Sequence, residues 1–233
     1  MKRIGTLGIV ALICASLAAV PALAGNVVGK VSYAGTAPAP KPIAITKDKE
    51  VCSREPHVDE SLVVAADKGL ANVVVYIKDA PNAPKMAVPA KAPELDQKSC
   101  KFHPHIQIIP AGGTLDVLNN DGILHNIHTY PKNNPPINQA QPKFKTKMPI
   151  KFEKPDTIRL SCDVHTWMNG WLIVAPNAWY TVSGPDGTFK IENVAPGTYT
   201  LSYWQETLGT QTAQVTVAAS GDVKADLTFP AKK

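Results

Sequence analysis

Prolines and glycines interrupt this chain so often that long helices are excluded. The 233 residues include 21 prolines and 15 glycines, and no window shows the apolar spacing of a sustained amphipathic helix. Short stretches with alternating apolar residues end instead at turn residues such as Asp-Gly and Pro-Gly, as in segments 26–33 and 186–201. The pattern predicts an all-β protein made of antiparallel sandwiches.

The first 24 residues have the features of a cleaved export signal. Lys2 and Arg3 form a basic start, residues 4–20 form an apolar run, and 22–24 (Ala-Leu-Ala) suit cleavage before Gly25. The mature chain is predicted to be periplasmic or secreted, and no later run is long and apolar enough for membrane insertion. Loss of the two basic residues lowers the formal charge from +5 to +3, which does not indicate nucleic-acid binding.

Three cysteines remain after export: Cys52, Cys100 and Cys162. In an oxidising compartment an even number of them should pair. Cys162 has neighbours that bind metals and the other two do not, so we predict a Cys52–Cys100 disulfide and a free thiol at Cys162. The alternative is that Cys162 itself forms a disulfide, and then the chain has no metal site of the kind described next.

Segment 161–168 (Ser-Cys-Asp-Val-His-Thr-Trp-Met) concentrates potential metal ligands. It places Cys162, His165 and Met168 three residues apart, which offers a thiolate, an imidazole and a thioether on one short loop. These are donors of a mononuclear copper electron-transfer site, which needs one further imidazole. The segment therefore predicts a copper site that is completed from elsewhere in the chain.

Two histidines upstream compete for the missing position. His125 and His128 follow an Asn-Asn-Asp-Gly turn, and residues three apart on one strand face opposite sides of a sheet. We predict that His125, the nearer to the turn, faces the site and that His128 is a polar residue on the other face. Asn126 could hydrogen-bond to the cysteine segment and brace it.

These two motifs, in this order and each at a strand end, resemble those of the cupredoxins, most closely the amicyanin and plastocyanin branch and bacterial plastocyanin-like or methylamine-utilisation proteins. The similarity covers residues 95–176 and includes the Cys-to-His and His-to-Met spacing of amicyanins. It implies a Greek-key β-sandwich and a one-electron carrier, not an enzyme, whose partner is a redox protein of the cytochrome or dehydrogenase type. It also implies one copper ion with four ligands, the last of them weak and axial: His125, Cys162, His165 and Met168.

The flanking segments resemble a second family, the carboxypeptidase regulatory-like or transthyretin-like sandwich. Segments 27–35 and 70–75 look like its first strands, and 186–201 looks like later ones. We therefore predict that the copper domain is inserted into a discontinuous second sandwich, with proline-rich crossings between them. The predicted divisions are a signal peptide (1–24), the first part of the sandwich (25–80), a linker (81–94), the cupredoxin domain (95–176) and the second part of the sandwich (177–230).

Two other groups of residues give weaker indications of function. His103 and His105 form a candidate second metal site, although Pro104 lies between them and no third donor is evident, which favours ordinary polar residues. Six lysines surround the long gap 130–148 and could steer an acidic redox partner: residues 132, 143, 145, 147, 151 and 154. Two other functions stay open, a copper storage or delivery protein and a metal-free structural module of the cell envelope.

Overall fold

The computed structural model describes residues 24–77, 80 and 82–232, and β-strands dominate it. In this part of the chain the one helix is α1 (Lys49–Cys52), and no helix is long and apolar enough to cross a membrane. The all-β prediction is confirmed. The predicted signal peptide lies outside the described residues except for Ala24.

The described residues form seventeen strands, which are arranged in four sheets. The first nine are β1 (Gly25–Tyr33), β2 (Val74–Ile77), β3 (Glu94–Lys98), β4 (Lys101–His103), β5 (Ile106–Pro110), β6 (Gly113–Asn119), β7 (His125–Tyr130), β8 (Asn138–Gln141) and β9 (Lys147–Phe152). The others are β10 (Asp156–Ser161), β11 (Asn169–Ala175), β12 (Tyr180–Val182), β13 (Thr188–Val194), β14 (Gly197–Gln205), β15 (Gly209–Val217), β16 (Asp222–Lys224) and β17 (Leu227–Phe229).

Two sheets from the middle of the chain enclose the first core. Their strand orders are β5-β11-β10-β7-β8 and β4-β3-β6-β9. Alternating exposed and buried residues along β9 and β10 supply apolar side chains to one side of each strand. Phe102, Leu115, Phe152, Ile158 and Leu172 from both sheets pack together. Burial of these faces sets the register that pairs the end of β10 with the second half of β7.

Strands from the two ends of the chain share the other two sheets. β1 pairs with β13, β16 and β17, and the remaining order is β12-β2-β14-β15. These sheets enclose a second core that includes Val31, Val75, Trp179, Tyr203 and Phe229. The pairing joins residues 25–77 to residues 180–229, while the exact domain boundaries stay a prediction.

The structure differs from the sequence-based strands in several places, and two of them show the physical reason. The gap 130–148, predicted as a loop, contains β8, whose residues Asn-Gln-Ala-Gln show no apolar alternation and pair with β7 through backbone hydrogen bonds. The apolar residues 62–64 (Leu-Val-Val) predict a short strand, but they contribute only one bridge, Val64 to Leu70. In both places long-range backbone pairing, rather than local apolar pattern, decides the outcome.

Asp156 anchors the beginning of the long gap. Its Oδ2 accepts hydrogen bonds from the backbone N–H groups of Lys132, Asn133 and Asn134, at 3.0, 2.7 and 3.3 Å. Burial alone would raise the pKa of this carboxyl, but the hydrogen bonds from Asn133, Asn134 and their neighbours outweigh burial and lower the pKa. The ionised carboxylate therefore stabilises the folded chain.

Replacing Asp156 by alanine is expected to lower the free energy of unfolding at pH 7 by about 1–3 kcal/mol, since charged hydrogen bonds are lost. The native pKa lies below the unfolded value, so this contribution is complete above the unfolded pKa and disappears as pH falls through the native pKa. Urea unfolding at pH 7 and in acid measures the difference. Glu153→Gln, at an exposed position nearby, is the control, and an equal loss at both pH values would contradict the prediction.

Candidate metal centre

His125, Cys162 and His165 face one another inside the first core. His125 is the first residue of β7. Cys162 directly follows Ser161, the last residue of β10, and Ser161 pairs with His128 of β7. His165 lies on the loop between β10 and β11. The three side chains are buried, with relative exposures of 0–1%. Neighbouring strands and one short loop thus bring three potential ligands to one point.

The distances between their donor atoms suit one metal ion. Cys162 Sγ lies 3.9 Å from the Nδ1 atoms of both His125 and His165, and the two Nδ1 atoms are 3.0 Å apart. Ligands that share an ion, at metal–nitrogen bonds of about 2.0 Å and a metal–sulfur bond of about 2.3 Å, lie roughly 3–4 Å from one another. One thiolate with two imidazoles is a donor set for a transition metal, and these residues fit it.

The outer nitrogen, Nε2, of each imidazole is hydrogen-bonded to a carboxylate. His125 Nε2 donates to Asp121 Oδ2 and His165 Nε2 donates to Asp48 Oδ2, both at 2.8 Å. A carboxylate partner assigns the ring proton to Nε2 and leaves the lone pair on Nδ1. Two lone pairs 3.0 Å apart repel, so a positive charge between them, a proton or a metal ion, is required.

The electrostatics of the centre favour a thiolate. Burial alone would raise the pKa of the Cys162 thiol, but its contacts with His125 and His165 outweigh burial and lower the pKa to about 6. Burial would likewise lower the pKa of His125, yet its contacts with Asp121 and Cys162 raise it. The cysteine is therefore prepared in the ionised form that binds metals.

Asp121 also organises the backbone next to the disulfide. Its Oδ1 accepts from the Ser99 N–H at 2.6 Å and its Oδ2 from the Cys100 N–H at 2.8 Å. Ser99 and Cys100 both have left-handed φ angles, 51° and 54°, which their side chains disfavour. One carboxylate thus holds a strained turn and the His125 ring. In the sequence Asp121 is recognisable only as part of a turn, although an acidic residue four positions before a candidate ligand histidine is a usable signal.

Asp48 comes from a distant segment that the cysteines attach to the centre. It directly precedes α1 in segment 43–57 and lies 117 residues from its partner His165. Cys52 and Cys100 form a disulfide, the pairing that the cysteine count predicts, and Cys162 is free and buried. No local sequence pattern relates Asp48 to His165, so sequence analysis missed it.

The remaining predicted residues lie close by. Met168 is buried in the same cluster as Cys162, and its backbone N–H donates to the His165 carbonyl at 2.9 Å. Asn126 Oδ1 accepts from the Asp163 N–H at 2.6 Å, which ties β7 to the residue after the cysteine. Both contacts restrict the loop that carries the ligands.

His128 points away from the centre. Its Nδ1 is 2.9 Å from Asp163 Oδ1, its ring stacks on Tyr130, and its side chain is 27% exposed. We expect His128→Ala to leave Cu(II) affinity within about twofold of the wild-type value, because surface substitutions away from a site have small effects. Competition with a chelator measures the affinity. A tenfold loss would show that His128 takes part in binding.

The peptide bond between His103 and Pro104 is cis. His103 and His105 have different surroundings. His103 is exposed, whereas His105 is buried with its Nε2 2.5 Å from Glu206 Oε1. Trp171 Nε1 donates to the other oxygen of Glu206 at 2.8 Å. Neither histidine belongs to the three groups of metal-binding side chains that the described residues form. A second metal site at these residues stays a prediction.

Comparisons with known proteins find one matching family model and several similar solved structures of copper proteins. The family described as "Polysaccharide lyase family 4, domain II" matches residues 157–225, and none of the curated proteins matches the chain. Similar solved structures include a Cu(I) mutant of amicyanin, with 18% identity over 43% of this chain and 98% of that one and a TM-score of 0.34. A purple cupredoxin from Nitrosopumilus maritimus has 21% identity over 36% of this chain and 99% of that one, with a TM-score of 0.30. The copper-containing nitrite reductase of Thermus scotoductus SA-01 has 23% identity over 41% of this chain and a TM-score of 0.32, and the chain spans 27% of its length.

Proposed function

We propose that this chain is an exported copper protein that carries single electrons and does not transform a substrate. The observation that carries the proposal is the triangle of Cys162 Sγ and the Nδ1 atoms of His125 and His165, with both outer nitrogens on carboxylates. Copper bound there would supply one-electron redox chemistry, which a thiolate, two imidazoles and a weak thioether suit in both oxidation states.

The surrounding residues support rapid electron exchange. Asp121 and Asp48 hold the two rings by hydrogen bonds of 2.8 Å, so the donor atoms need not rearrange when the charge changes. The 0–1% exposure of the three donors excludes water from the centre. Met168, buried beside Cys162, is proposed as the weak fourth ligand.

The proposed partner is a redox protein with an acidic surface. Lys132, Lys143 and Lys154 are exposed and take part in none of the ion pairs among the described residues. Lys147 and Lys151, in contrast, pair with Asp116 and Glu153. Unpaired lysines attract an acidic partner and make the rate of association depend on salt.

We also infer that the copper domain, residues 95–176, is inserted into a carboxypeptidase regulatory-like sandwich. The pairing of β1 with β13 and of β2 with β14 supports this, because it joins the two ends of the chain. The basic and apolar start of the sequence supports export to the periplasm through a cleaved signal. Export would bring the centre to a compartment in which disulfides persist.

The test is the spectrum of the copper-loaded protein. Residues 25–233, purified with the disulfide formed, are mixed with one equivalent of Cu(II) and examined by visible absorption, paramagnetic resonance and voltammetry. An intense thiolate-to-copper band and a reversible one-electron wave are expected. A colourless complex would overturn the proposal, and the absence of stoichiometric copper would favour a metal-free structural module.

Storage or delivery of copper is the second candidate. It is favoured by the complete burial of the ligands and by the two additional cysteine sulfurs close to His165. Such a protein would bind Cu(I) tightly and show no reversible wave. The same voltammetry therefore distinguishes a carrier from a storage protein.

A further inference from the structure

We propose that reduction of the Cys52–Cys100 disulfide converts this centre into a thiolate-rich site for a monovalent soft metal ion. The inference rests on the proposed function, because it assigns a second, reduced state to the same centre. In that state two further thiols, those of Cys52 and Cys100, lie next to the histidines of the centre. The disulfide then selects between a redox-active centre and a tight Cu(I) site.

The metal-binding groups of the described residues overlap at this place. Cys52, Cys100 and His165 form one group, and His125, Cys162 and His165 form another, with the donor atoms of each group within 4.8 Å of one another. Cys100 also belongs to a third group with Asp121 and His125. The sulfur atoms of the disulfide are therefore direct neighbours of both ligand imidazoles.

Reduction changes the chemistry of these sulfur atoms. A disulfide sulfur carries no charge and binds metals poorly, whereas a thiolate is a soft anionic ligand that selects Cu(I). With the disulfide intact, Cys162 is the one thiolate of the centre. After reduction the thiolates of Cys52 and Cys100 join it, so the preference shifts toward the monovalent ion.

The reaction needs a dithiol of the disulfide-exchange class. One thiolate of the dithiol attacks a sulfur of Cys52–Cys100, breaks that S–S bond and forms a mixed disulfide. Its second thiol then displaces the remaining cysteine, so the dithiol becomes a disulfide. Two electrons and two protons pass to the chain, and Cys52 and Cys100 are released as thiols.

Access to the buried sulfur atoms comes from the segment that covers them. Among the described residues, the backbone hydrogen bonds of segment 43–57 stay inside the segment. Its ties to the rest of the chain include the disulfide, the Asp48–His165 hydrogen bond, a bond from Lys101 Nζ to the Pro56 carbonyl, the edge contact of the His57 ring with Trp167, and the packing of buried and partly buried side chains. A segment with so few ties opens locally at low cost. Opening admits the reductant, and reduction removes the one covalent tie.

Thermodynamic linkage adds a second consequence. If the reduced chain binds Cu(I) more tightly by some factor, bound Cu(I) favours reduction of the disulfide by the same factor. Each tenfold preference corresponds to a rise of about 30 mV in the two-electron potential of the disulfide. Binding and disulfide reduction can therefore be measured independently and must agree.

The test compares Cu(I) binding by the oxidised and the reduced full-length mature protein. The disulfide is reduced with a water-soluble phosphine, which is removed without oxygen, and Cu(I) affinity is measured by competition with a coloured Cu(I) chelator. We expect at least about tenfold tighter binding after reduction, within the usual range for coupled equilibria. Equal affinities for the two forms would overturn the proposal.

The double variant C52S/C100S is the matched control, because it keeps His125, Cys162 and His165. Its Cu(I) affinity is expected to be the same with and without phosphine treatment, and a tenfold gain on treatment would overturn the proposal. If this variant fails to fold, the wild-type disulfide is titrated in glutathione buffers with and without Cu(I), and its reduction is followed by thiol alkylation and mass measurement. An unchanged midpoint potential would overturn the proposal.

The outcome is separable from that of the proposed function. The visible band is measured on the oxidised chain with Cu(II), in which Cys52 and Cys100 are not thiols. A band together with equal Cu(I) affinities overturns the reduced-state site and leaves electron transfer standing. A colourless Cu(II) complex together with tighter Cu(I) binding after reduction overturns electron transfer and supports the reduced-state site.

Discussion

Replacing Cys162 by serine is expected to abolish the visible band of the copper-loaded protein and to lower Cu(II) affinity by more than about 100-fold, beyond the effect of losing an outer partner. The band requires charge transfer from a thiolate, and a serine hydroxyl is a hard, protonated donor that provides none. Cys162 is the one free cysteine of the described residues, so no other thiolate can replace it while the disulfide is intact. Absorption during Cu(II) titration measures both effects.

The neighbouring residue provides the control for this substitution. Ser161 is the last residue of β10, and its Oγ lies 3.2 Å from the Tyr130 hydroxyl, outside the group of donors. Ser161→Ala changes one oxygen next to the cysteine and should keep the band. A C162S protein that retained an intense band would show that the thiolate–copper centre lies elsewhere.

Replacing Asp121 by alanine is expected to lower Cu(II) affinity by about 10–100-fold, the usual effect of losing the outer partner of a ligand histidine. Without the carboxylate, the His125 ring loses the acceptor that fixes its tautomer and orientation. The backbone N–H groups of Ser99 and Cys100 also lose their acceptor, which costs the metal-free protein about 1–3 kcal/mol of unfolding free energy. Chelator competition and urea unfolding measure the two effects separately.

Asp163 is the matched carboxylate for that experiment. It follows Cys162 directly, is half exposed, and its histidine partner is His128 rather than a ligand. Asp163→Ala should leave both affinity and stability nearly unchanged, because exposed ion pairs contribute little. Equal losses for the two variants would mean that general charge near the cysteine, not the hold on His125, sets the affinity.

The fold class could be predicted from the sequence, and some strands could not. Alternating residues of β9 and β10 bury one face each, so their pattern is visible locally. β8 has no such pattern, because its side chains are mostly exposed and its backbone pairing with β7 alone makes it a strand. Residues 62–64 show the converse, an apolar stretch that lacks a partner strand and stays irregular.

The residues of the candidate metal centre likewise include some that the sequence indicates and one that it does not. His125 could be chosen over His128 because residues three apart on a strand face opposite sides, and the structure buries one and exposes the other in part. Cys162 and His165 lie on one short loop, so their proximity is local. Asp48 could not be inferred, since 117 residues separate it from His165 and nothing in segment 43–57 resembles a binding motif.

The sequence by itself determined the all-β class, the expected disulfide partners by count, and the types of donor atom that the loop 161–168 and the turn before β7 can offer. These properties depend on residue type and on spacing within a few positions. The tertiary structure decided which donors meet, how Asp121 and Asp48 orient the imidazoles, and that the disulfide lies against the centre. Such contacts depend on long-range strand pairing and core packing, which bring residues together regardless of their distance along the chain.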